Sequence, residues 1–241
     1  MNCSINIDCM EYMRDLPDLA FDLAVVDPPY GDGIGGGNPE RFGGRFDKYK
    51  PCTLRKHGGK WGQRYDNAKT VAWDVAPPPE YFKELFRVSR NQIIWGGNYF
   101  GLPPCRCFLV WRKLSISEAF SMAMVEYAWT SFENENAKWF ECAPQGKADD
   151  KRFHPTQKPV ALYSWIFRNY AKPGMKILDT HLGSGSSRIA AYNAGLDFVG
   201  CEIDEDYYRM QEERFAKHIA QGRLQFDEPK QAEQINLLAE D

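Results

Sequence analysis

The 241-residue sequence lacks any apolar run near the ~18 residues that a membrane-spanning helix needs. Its first ten residues, MNCSINIDCM, lack the basic stretch followed by an apolar stretch that marks a secretory signal. The seven cysteines are scattered and include no C-x-x-C pair, which disfavours disulfides and a structural zinc. We therefore expect a cytoplasmic protein with free thiols, no membrane segment and no bound metal.

The composition also excludes a disordered or fibrous chain. Apolar residues make up 43%, aromatic residues 14% and charged residues 26% of the sequence, which are ordinary values for a globular protein. The length suits one α/β domain over 1–241, carrying insertions, better than two full domains.

The net charge of -3 argues only weakly against a nucleic-acid partner, because the charges are unevenly distributed. Residues 31–70 hold nine Lys or Arg against four Asp or Glu, whereas residues 202–241 hold eleven acidic residues against five basic ones. A phosphate-facing loop on an acidic protein produces this asymmetry. A solvated surface loop explains it equally well.

Seven short segments predict β-strands, at 4–7, 21–26, 92–95, 107–111, 122–129, 176–179 and 197–201. Segments such as LAVV, QIIW and FLVW are apolar throughout, which is typical of strands buried on both faces of a parallel sheet. Helical patterns lie between several of them, at 80–89, 159–171, 186–194 and 206–220. The predicted fold is α/β, doubly wound, with a mostly parallel seven-stranded sheet.

Two stretches do not fit this sandwich. Residues 31–78 contain ten glycines and end in a proline run, and residues 133–153 form a shorter polar connection. Loops of such length are uncommon in compact domains unless they bind or cover something. We interpret both as insertions that contact a ligand.

A glycine-rich segment, DTHLGSGSS at 179–187, lies between a predicted strand and a predicted helix. Such a turn lets the backbone approach a ligand closely and points helix N–H groups at it. No lysine follows Gly185, which excludes a phosphate-binding P-loop. Glu202 ends the next strand, where a carboxylate can accept hydrogen bonds from both ribose hydroxyls. The pair predicts a nucleoside-containing cofactor, although a tight turn with an incidental glutamate is the alternative.

A second segment, Asp27-Pro28-Pro29-Tyr30, follows the strand LAVV. Two prolines with fixed φ angles hold it rigid at the carboxyl edge of the sheet. The Asp27 carboxylate and the Pro28 carbonyl are two acceptors for an exocyclic amine, and Tyr30 offers a flat face for a ring. Taken alone, the tetrapeptide could equally be a strand-ending turn.

A third segment, HPTQKP at 154–159, opens a predicted helix. Lys158 could meet a cofactor carboxylate, and Thr156 could cap the helix. A plain helix start explains Thr156 and both prolines but not the whole hexapeptide.

With these segments in view, the chain resembles the DNA amino-methyltransferase family, which methylates adenine N6 or cytosine N4. The resemblance rests on DPPYG at 27–31, IIWGGN at 93–98, HPTQKP at 154–159, LDTHLGSGSS at 178–187 and FVGCEID at 198–204. Their order, with DPPY before the glycine loop, is similar to the circularly permuted group called β. The resemblance implies a circularly permuted, S-adenosylmethionine-dependent methyltransferase fold.

The resemblance also implies S-adenosylmethionine as the cofactor and assigns residues to it. Asp8 would reach the cofactor adenine, Glu202 would hold the ribose, and Lys158 would sit near the methionine moiety. The full set of cofactor residues is Asp8, Cys9, Asp27, His154, Thr156, Lys158, Asp179, Leu182, Gly183, Ser184, Gly185 and Glu202. The catalytic residues, which meet the target base, are Asp27, Pro28, Pro29 and Tyr30.

Two departures from the family pattern stand in the glycine loop. Thr180-His181 replaces the usual Pro-Phe, and Ser186-Ser187 replaces Thr-Thr. The serines are chemically conservative. His181 is either a neutral packing residue in place of Phe or a new polar contact.

The expected partner is double-stranded DNA, with 31–78 and 133–153 as the contacting segments. Its target base must rotate out of the duplex and stack on Tyr30. Asp at the first position of the tetrapeptide resembles adenine-specific members, so we expect adenine N6. The alternatives are a cytosine-N4 enzyme, an RNA or protein amide methyltransferase, and an inactive nucleic-acid-binding subunit. Neither segment is large enough for an extended recognition domain, which indicates a short recognition site or a second subunit, as in a homodimer. A restriction endonuclease is a further candidate partner.

Overall fold

The computed structural model describes residues 1–31, 75–118, 123–144 and 152–220. The described strands are β1 (Asn2–Asn6), β2 (Phe21–Val26), β3 (Ser89–Trp95), β4 (Phe108–Lys113), β5 (Val125–Thr130), β6 (Lys138–Cys142), β7 (Lys176–Asp179) and β8 (Asp197–Glu202). The described helices are α1 (Cys9–Arg14), α2 (Pro79–Val88), α3 (Val160–Tyr170), α4 (Ser186–Asn193) and α5 (Glu205–Ala220). A single 3-10 turn, Gly97–Tyr99, follows β3.

The strands form one sheet in the order β1-β8-β7-β2-β3-β5-β4-β6. The first five strands in this order are mutually parallel, and β5 is the one that runs antiparallel to its neighbours β3 and β4. Side chains alternate between two apolar clusters, so that Val25 faces one cluster and Val26 the other. This burial on both faces confirms the mostly parallel sheet predicted from the apolar runs.

Helices cover both faces of the sheet. Leu162 and Ile166 of α3 join the cluster that contains Val25, and α4 adds Ala190. Leu85 of α2 joins the opposite cluster, together with residues of α1. This arrangement is the predicted doubly wound sandwich. None of the described helices combines the length and apolarity that crossing a membrane requires.

The predicted number of strands was one too low, because β6 lies inside the stretch 133–153 that we interpreted as a polar connection. It pairs with β4, and Phe140 stacks on Trp165 of α3 with ring centroids 5.3 Å apart. Trp139 on the same strand is 62% exposed. A five-residue edge strand between polar flanks shows no strand pattern of its own, and its partner strand decides it. The six-residue helix α1 was missed because it is too short to show a periodicity.

Residues 32–74 and 145–151 of the two predicted insertions lie outside the described residues. The assignment of these insertions as ligand-contacting segments of a single domain therefore stays a prediction.

The sheet topology brings the predicted motifs to one edge. Strands β1, β8, β7, β2 and β3 are parallel, so their carboxyl ends share that edge. Moving along the chain, β2 leads through α2 to β3 on one side, while β7 leads through α4 to β8 on the other. The junction between β2 and β7 is thus a topological switch point, the position where open α/β sheets bind ligands.

The turn that follows β3 requires a glycine at position 97. A Cβ on Gly97 would lie 2.4 Å from the Trp129 Cβ and 3.1 Å from its backbone nitrogen. The Trp129 indole cannot retreat freely, because Nε1 donates a 2.7 Å hydrogen bond to the Pro103 carbonyl.

We expect Gly97→Ala to lower the free energy of unfolding by about 1–3 kcal/mol, the usual cost of overpacking a core. Urea unfolding measures it. Gly101→Ala is the matched control, because nothing lies within 4 Å of its added Cβ. Equal unfolding midpoints for the two variants would contradict this packing argument.

Candidate active site

The Asp27 carboxylate is fixed from two sides directly after β2. Its Oδ1 accepts a 2.8 Å hydrogen bond from the Tyr30 hydroxyl, and its Oδ2 accepts a 2.5 Å hydrogen bond from the Lys158 ammonium. The Asp27 side chain is 13% exposed and that of Lys158 only 4%. The structure therefore holds a rigid, mostly buried acceptor at the switch point.

Lys158 connects Asp27 to a second buried ion pair. Its ammonium lies 3.1 Å from Glu126 Oε2, and Glu126 Oε1 lies 2.5 Å from the Lys113 ammonium. Two carboxylates and two ammonium groups thus alternate in a row whose formal charges cancel. Charged groups are tolerated in a protein interior when they are paired in this way. Removing one member of the row leaves its neighbour as a buried charge without a partner.

These neighbours set the charge state of each group. Burial favours the neutral form of Glu126, but Lys158 and Lys113 outweigh it and hold the pKa of its carboxyl below the ordinary value. Burial likewise opposes the charge on Lys158, but Asp27 and Glu126 outweigh it and raise the pKa of its ammonium. Burial raises the pKa of Asp27 despite Lys158. Of the two carboxylates in this row, Asp27 is therefore the one with increased affinity for a proton or an N–H donor.

The Tyr30 ring packs against the turn after β3. Gly96 has a φ of +68°, and a Cβ there would lie 2.1 Å from the Tyr30 Cε1 atom. Any side chain at position 96 would therefore collide with the ring. This contact explains why position 96 of the segment IIWGGN is a glycine. The close approach of Trp129 explains the glycine at position 97.

The glycine loop between β7 and α4 is shaped by two carboxylates. Asp179 accepts hydrogen bonds from the His181 backbone N–H, at 3.1 Å, and from the Ser187 hydroxyl, at 2.5 Å. Glu202 accepts from the Gly183 N–H at 2.7 Å and from the Asp204 N–H at 2.9 Å. Both acids lie where the sequence predicted, and both stabilise the loop by accepting hydrogen bonds from its backbone N–H groups. Each carboxylate oxygen keeps a second acceptor site.

Gly183 and Gly185 give the loop its left-handed turns, with φ of +51° and +74°. The side chains between and before them face inward. Leu182 is 4% exposed, and a Cβ on Gly200 would lie 2.9 Å from its Cδ1. Ser184 is 4% exposed, with its hydroxyl 3.2 Å from that of Ser186. A ligand at this loop would therefore meet the backbone of Leu182 and Ser184.

The prediction that Thr156 caps a helix is wrong. Helix α3 begins at Val160, with Pro159 at the N-cap and no side-chain cap. Residues 154–157 form a turn in which the Gln157 N–H donates to the His154 carbonyl at 3.2 Å, and Pro159 disfavours a helical conformation at Lys158, so Thr156 stands too far upstream. Its hydroxyl lies 3.2 Å from His154 Nδ1 instead.

His154 closes over the glycine loop. A Cβ on Gly183 would lie 3.4 Å from His154 Nε2, and the His154 ring meets that of Tyr207 edge-on at 4.4 Å between centroids. Burial lowers the pKa of His154 to about 3, so the imidazole is neutral. Lys158, predicted near a cofactor, has its ammonium on Asp27; a cofactor contact for it stays a prediction.

Asp8 and Cys9 lie at the start of α1, beside Glu202 across β1 and β8. Asp8 is exposed, and its Oδ1 caps the helix by accepting from the N–H groups of Met10 and Glu11 at 2.7 and 3.2 Å. Burial raises the pKa of the Cys9 thiol to about 12, so it is not a thiolate. Their contacts with a cofactor adenine stay predictions.

His181 combines the two roles left open for it. Its ring lies edge-on to Tyr81 of α2 at 5.3 Å, which is a packing contact. Its Nδ1 is 2.9 Å from the Thr180 hydroxyl, which in turn is 2.6 Å from the Tyr81 hydroxyl. Burial lowers the pKa of His181 to about 4, so the ring is neutral. Thr180 and His181, which replace the usual Pro-Phe of the family, therefore both contact Tyr81 on the neighbouring helix.

The structure brings the proline segment and the glycine loop side by side. Strands β2 and β7 pair at Leu23 with Ile177 and at Ala24 with Leu178, and Asp27 lies close enough to help raise the pKa of Asp179. Sequence reasoning missed Glu126. The available signal was a lone glutamate in the apolar strand segment VEYAWT.

Solved structures of DNA methyltransferases share this fold. The M1.HpyAVI–SAM complex matches 89% of this chain and 100% of that chain, with 18% identity and a TM-score of 0.54. PvuII DNA methyltransferase, described as cytosine-N4-specific, matches 89% and 86% at 12% identity, with a TM-score of 0.57. The fold is therefore that of the S-adenosylmethionine-dependent DNA methyltransferases.

Sequence comparisons then give the family. A family model described as DNA methylase, N6_N4_Mtase, matches residues 107–213. YubD of Escherichia coli (strain K12) is 24% identical over 90% of this chain and 91% of its own. The Type II methyltransferase M.HinfI of Haemophilus influenzae is 23% identical over 89% of this chain and 68% of its own. These matches confirm the resemblance to the DNA amino-methyltransferase family that the sequence motifs indicated.

The buried Asp179 makes a pH-dependent contribution to stability. Burial raises the pKa of its carboxyl from 3.8 to about 7, in spite of the hydrogen bond from Ser187. The folded protein then holds a proton that the unfolded chain releases, so this contribution is fully present below the unfolded pKa and is lost as pH rises toward 7.

Asp179→Asn removes the titration while keeping an amide that can bond to Ser187 and His181. We expect the variant to exceed the parent in free energy of unfolding at pH 8 by on the order of 1–3 kcal/mol, with the difference shrinking toward pH 5. Urea unfolding across this range measures it. The exposed substitution Asp15→Asn is the control. A difference between Asp179→Asn and the parent that does not change with pH would refute the raised pKa of Asp179.

Proposed function

We propose that this protein is an S-adenosylmethionine-dependent DNA methyltransferase that methylates the exocyclic amine of a flipped base, adenine N6 rather than cytosine N4. The observation that carries the proposal is the clamped Asp27 carboxylate, which lies beside the glycine loop at the switch point. The match of residues 107–213 to the DNA methylase family model and the similarity to M.HinfI support DNA as the substrate.

The residues at the edge suit this cofactor. Asp27, Asp179 and Glu202 are buried carboxylates whose pKa values burial raises, so a cationic group beside them would be favourable. A sulfonium carries such a charge. The left-handed glycines at 183 and 185 keep side chains out of the approach to the loop backbone. The M1.HpyAVI structure is itself a SAM complex.

The chain's own task is to present the amine. S-adenosylmethionine, when bound, supplies an activated methyl group with a sulfonium leaving group. An adenine N6 lone pair is delocalised into its ring and is a poor nucleophile. We assign the two acceptors of this nitrogen's hydrogens to the Asp27 carboxylate and the Pro28 carbonyl, which together favour a tetrahedral nitrogen with an available lone pair. Asp27, whose proton affinity burial increases, is suited to take the proton that methylation releases.

The preference for adenine rests on Asp at position 27, since the structural neighbours include a cytosine-N4 enzyme. Nucleoside mass spectrometry of DNA from a methylation-free host expressing the protein distinguishes the two. N6-methyladenine supports the proposal, and N4-methylcytosine overturns the choice of base. Labelled-methyl incorporation into duplex, RNA and protein in parallel tests the substrate class, and label in none of them supports an inactive binding subunit.

We place the DNA contacts on residues 31–78 and 133–153, because the basic excess lies in the first, and because the first and the part of the second after β6 both follow strands that end at the same edge of the sheet. Lysines and arginines there would meet phosphates. A homodimer and a restriction endonuclease partner remain predictions of the family resemblance.

Asp27→Ala removes one of the two proposed acceptors. We expect it to abolish methyl transfer to duplex DNA while weakening S-adenosylmethionine binding by no more than about tenfold, because the glycine loop and Glu202 remain and only one of the three neighbouring carboxylates is lost. Asp27→Asn keeps one acceptor oxygen and should retain more activity than Asp27→Ala. Exposed Asp15→Ala is the matched control. Parental turnover by Asp27→Ala would exclude the assigned role.

Glu202→Gln tests the cofactor site independently of DNA. The amide keeps one acceptor but cannot accept at both oxygens, so we expect about 10- to 100-fold weaker S-adenosylmethionine binding, in line with losing charge-assisted hydrogen bonds. Calorimetric titration measures the dissociation constant, and thermal unfolding checks that the loop stays folded. Exposed Glu205→Gln on the next helix should bind like the parent. Unchanged binding by Glu202→Gln would remove this residue from the site.

A further inference from the structure

Glu126 reaches the candidate active site because strand β5 runs against its neighbours. Parallel strands bring their last residues to the functional edge, whereas an antiparallel strand brings its first ones. The first two residues of β5 are Val125 and Glu126. Side chains alternate along the strand, so Tyr127 packs with one apolar cluster while Glu126 lies on the same face as Ala128, in the cluster that α3 covers. Glu126 thus faces the segment that leads into α3.

On that face, the Lys158 ammonium lies between two carboxylates. It is 2.5 Å from Asp27 Oδ2 and 3.1 Å from Glu126 Oε2, and this Oε2 atom is buried. The rings of Trp95 and Tyr30 lie beside it, with centroids 5.5 and 5.8 Å from the ammonium nitrogen. Little water reaches a lysine so enclosed. The two carboxylates therefore share one ammonium with weak screening.

The second carboxylate affects what Asp27 can accept. An ammonium that served Asp27 alone would cancel most of its negative charge and weaken it as an acceptor for an amine. Glu126 draws the same ammonium toward itself and so leaves Asp27 more of its charge. The pKa of Asp27 reflects this balance, because burial raises it most, Lys158 lowers it and Glu126 raises it again. Lys158 therefore orients Asp27, while Glu126 preserves the affinity of Asp27 for protons and N–H donors.

Lys113 is the far end of the row. Its buried ammonium lies 2.5 Å from Glu126 Oε1 and over the Trp111 ring, 5.3 Å from the centroid. In the row, Glu126 and Lys158 stand between this ammonium and Asp27. Neutralising Lys113 and Glu126 together would therefore change the surroundings of Asp27 without leaving an unbalanced buried charge.

We propose that Glu126 is a positioning residue for methyl transfer. It holds the Lys158 ammonium between two carboxylates, so that Asp27 is oriented by Lys158 without being neutralised by it. Glu126 does this from the second position behind the acceptor and needs no contact with the base or the cofactor. This inference rests on the proposed function, because it takes Asp27 as the acceptor of the target amine.

The first test is the single-turnover rate of labelled-methyl transfer to unmethylated DNA at saturating S-adenosylmethionine. Glu126→Gln keeps the shape of the side chain and removes its charge. We expect the rate constant to fall about 10- to 100-fold, because Asp27 is then paired with an undivided ammonium and is a weaker acceptor. Glu84→Gln is the matched control. Its carboxylate is also ion-paired, 2.8 Å from the Arg87 guanidinium, but it belongs to α2 on the opposite face of the sheet, and it should keep the parental rate.

A second variant separates this role from the stability of the fold. Glu126→Gln leaves two buried ammonium groups with one carboxylate, which destabilises the protein. The double variant Lys113→Gln/Glu126→Gln removes one charge of each sign, so we expect thermal unfolding to show most of the lost stability restored. Its methyl-transfer rate should stay as low as that of Glu126→Gln, because Asp27 still faces an undivided ammonium. Recovery of both stability and rate would make Glu126 a structural residue and overturn the inference.

The pH profile of the rate is a readout that a structural role would not move. Since Glu126 raises the pKa of Asp27, its loss should move the acidic limb of the profile to lower pH in the single and the double variant. Asp179, with a pKa of about 7, titrates in the parent and in the variants alike, so only the difference between profiles is assigned to Asp27. The other titratable groups around the row are Tyr30, His154 and Tyr163.

The remaining outcomes are also decisive. An acidic limb that stays in place in both variants, or a parental rate for Glu126→Gln, overturns the inference while the labelled DNA leaves the proposed function standing. A parent protein that labels no DNA overturns the proposed function and the inference with it. The two failures are therefore distinguishable.

Discussion

The contact between Asp27 and Lys158 is the interaction on which the rest of the site depends. It joins two segments 131 positions apart, one after β2 and one before α3, and so fixes the proline tetrapeptide against the segment that closes over the glycine loop. Glu126 and Lys113 continue the row of alternating charges and so help to offset the burial of Lys158 and Asp27. A lysine as buried as Lys158 would otherwise lose its proton, and Asp27 would lose its orientation. A row with no net charge can be buried without giving the site an excess of either sign.

The carboxyl edge combines features that weaken a protein with features that suit a ligand. Asp179 and Glu202 are buried at the edge and hold loop N–H groups, and burial raises the pKa of both. Such carboxylates reduce stability at neutral pH, which fits a site that gains when a cation arrives. At the same edge the Tyr30 ring packs against Gly96 and stacks with the Tyr99 ring. The site is therefore preorganised around its acceptor, its loop and its packed Tyr30 ring.

Much of the fold followed from local pattern. The unalternating strands and the glycine and proline turns predicted a mostly parallel, doubly wound sheet, and the order of the motifs indicated that Asp27 and the glycine loop share an edge. The errors fell where local pattern is weak. Strand β6 is short and flanked by polar residues, and its pairing with β4 is what makes it a strand. Helix α1 has only six residues, or about one and a half turns. Thr156 was assigned to a helix start, but it lies in a turn over 154–157, and helix α3 begins only after Pro159, at Val160.

By itself, the sequence determined the chemistry available at the edge: which strands are buried, where they end, and which acids, glycines and prolines follow them. These are short-range properties, because burial and turn formation depend on neighbouring residues. Only the tertiary structure decided that Lys158 meets Asp27, that Glu126 stands behind it, that Tyr81 accommodates the change at Thr180 and His181, and that Tyr99 lies on Tyr30. Such contacts depend on strand register and on the direction of individual side chains, which segments far apart in the chain fix only when they pack together.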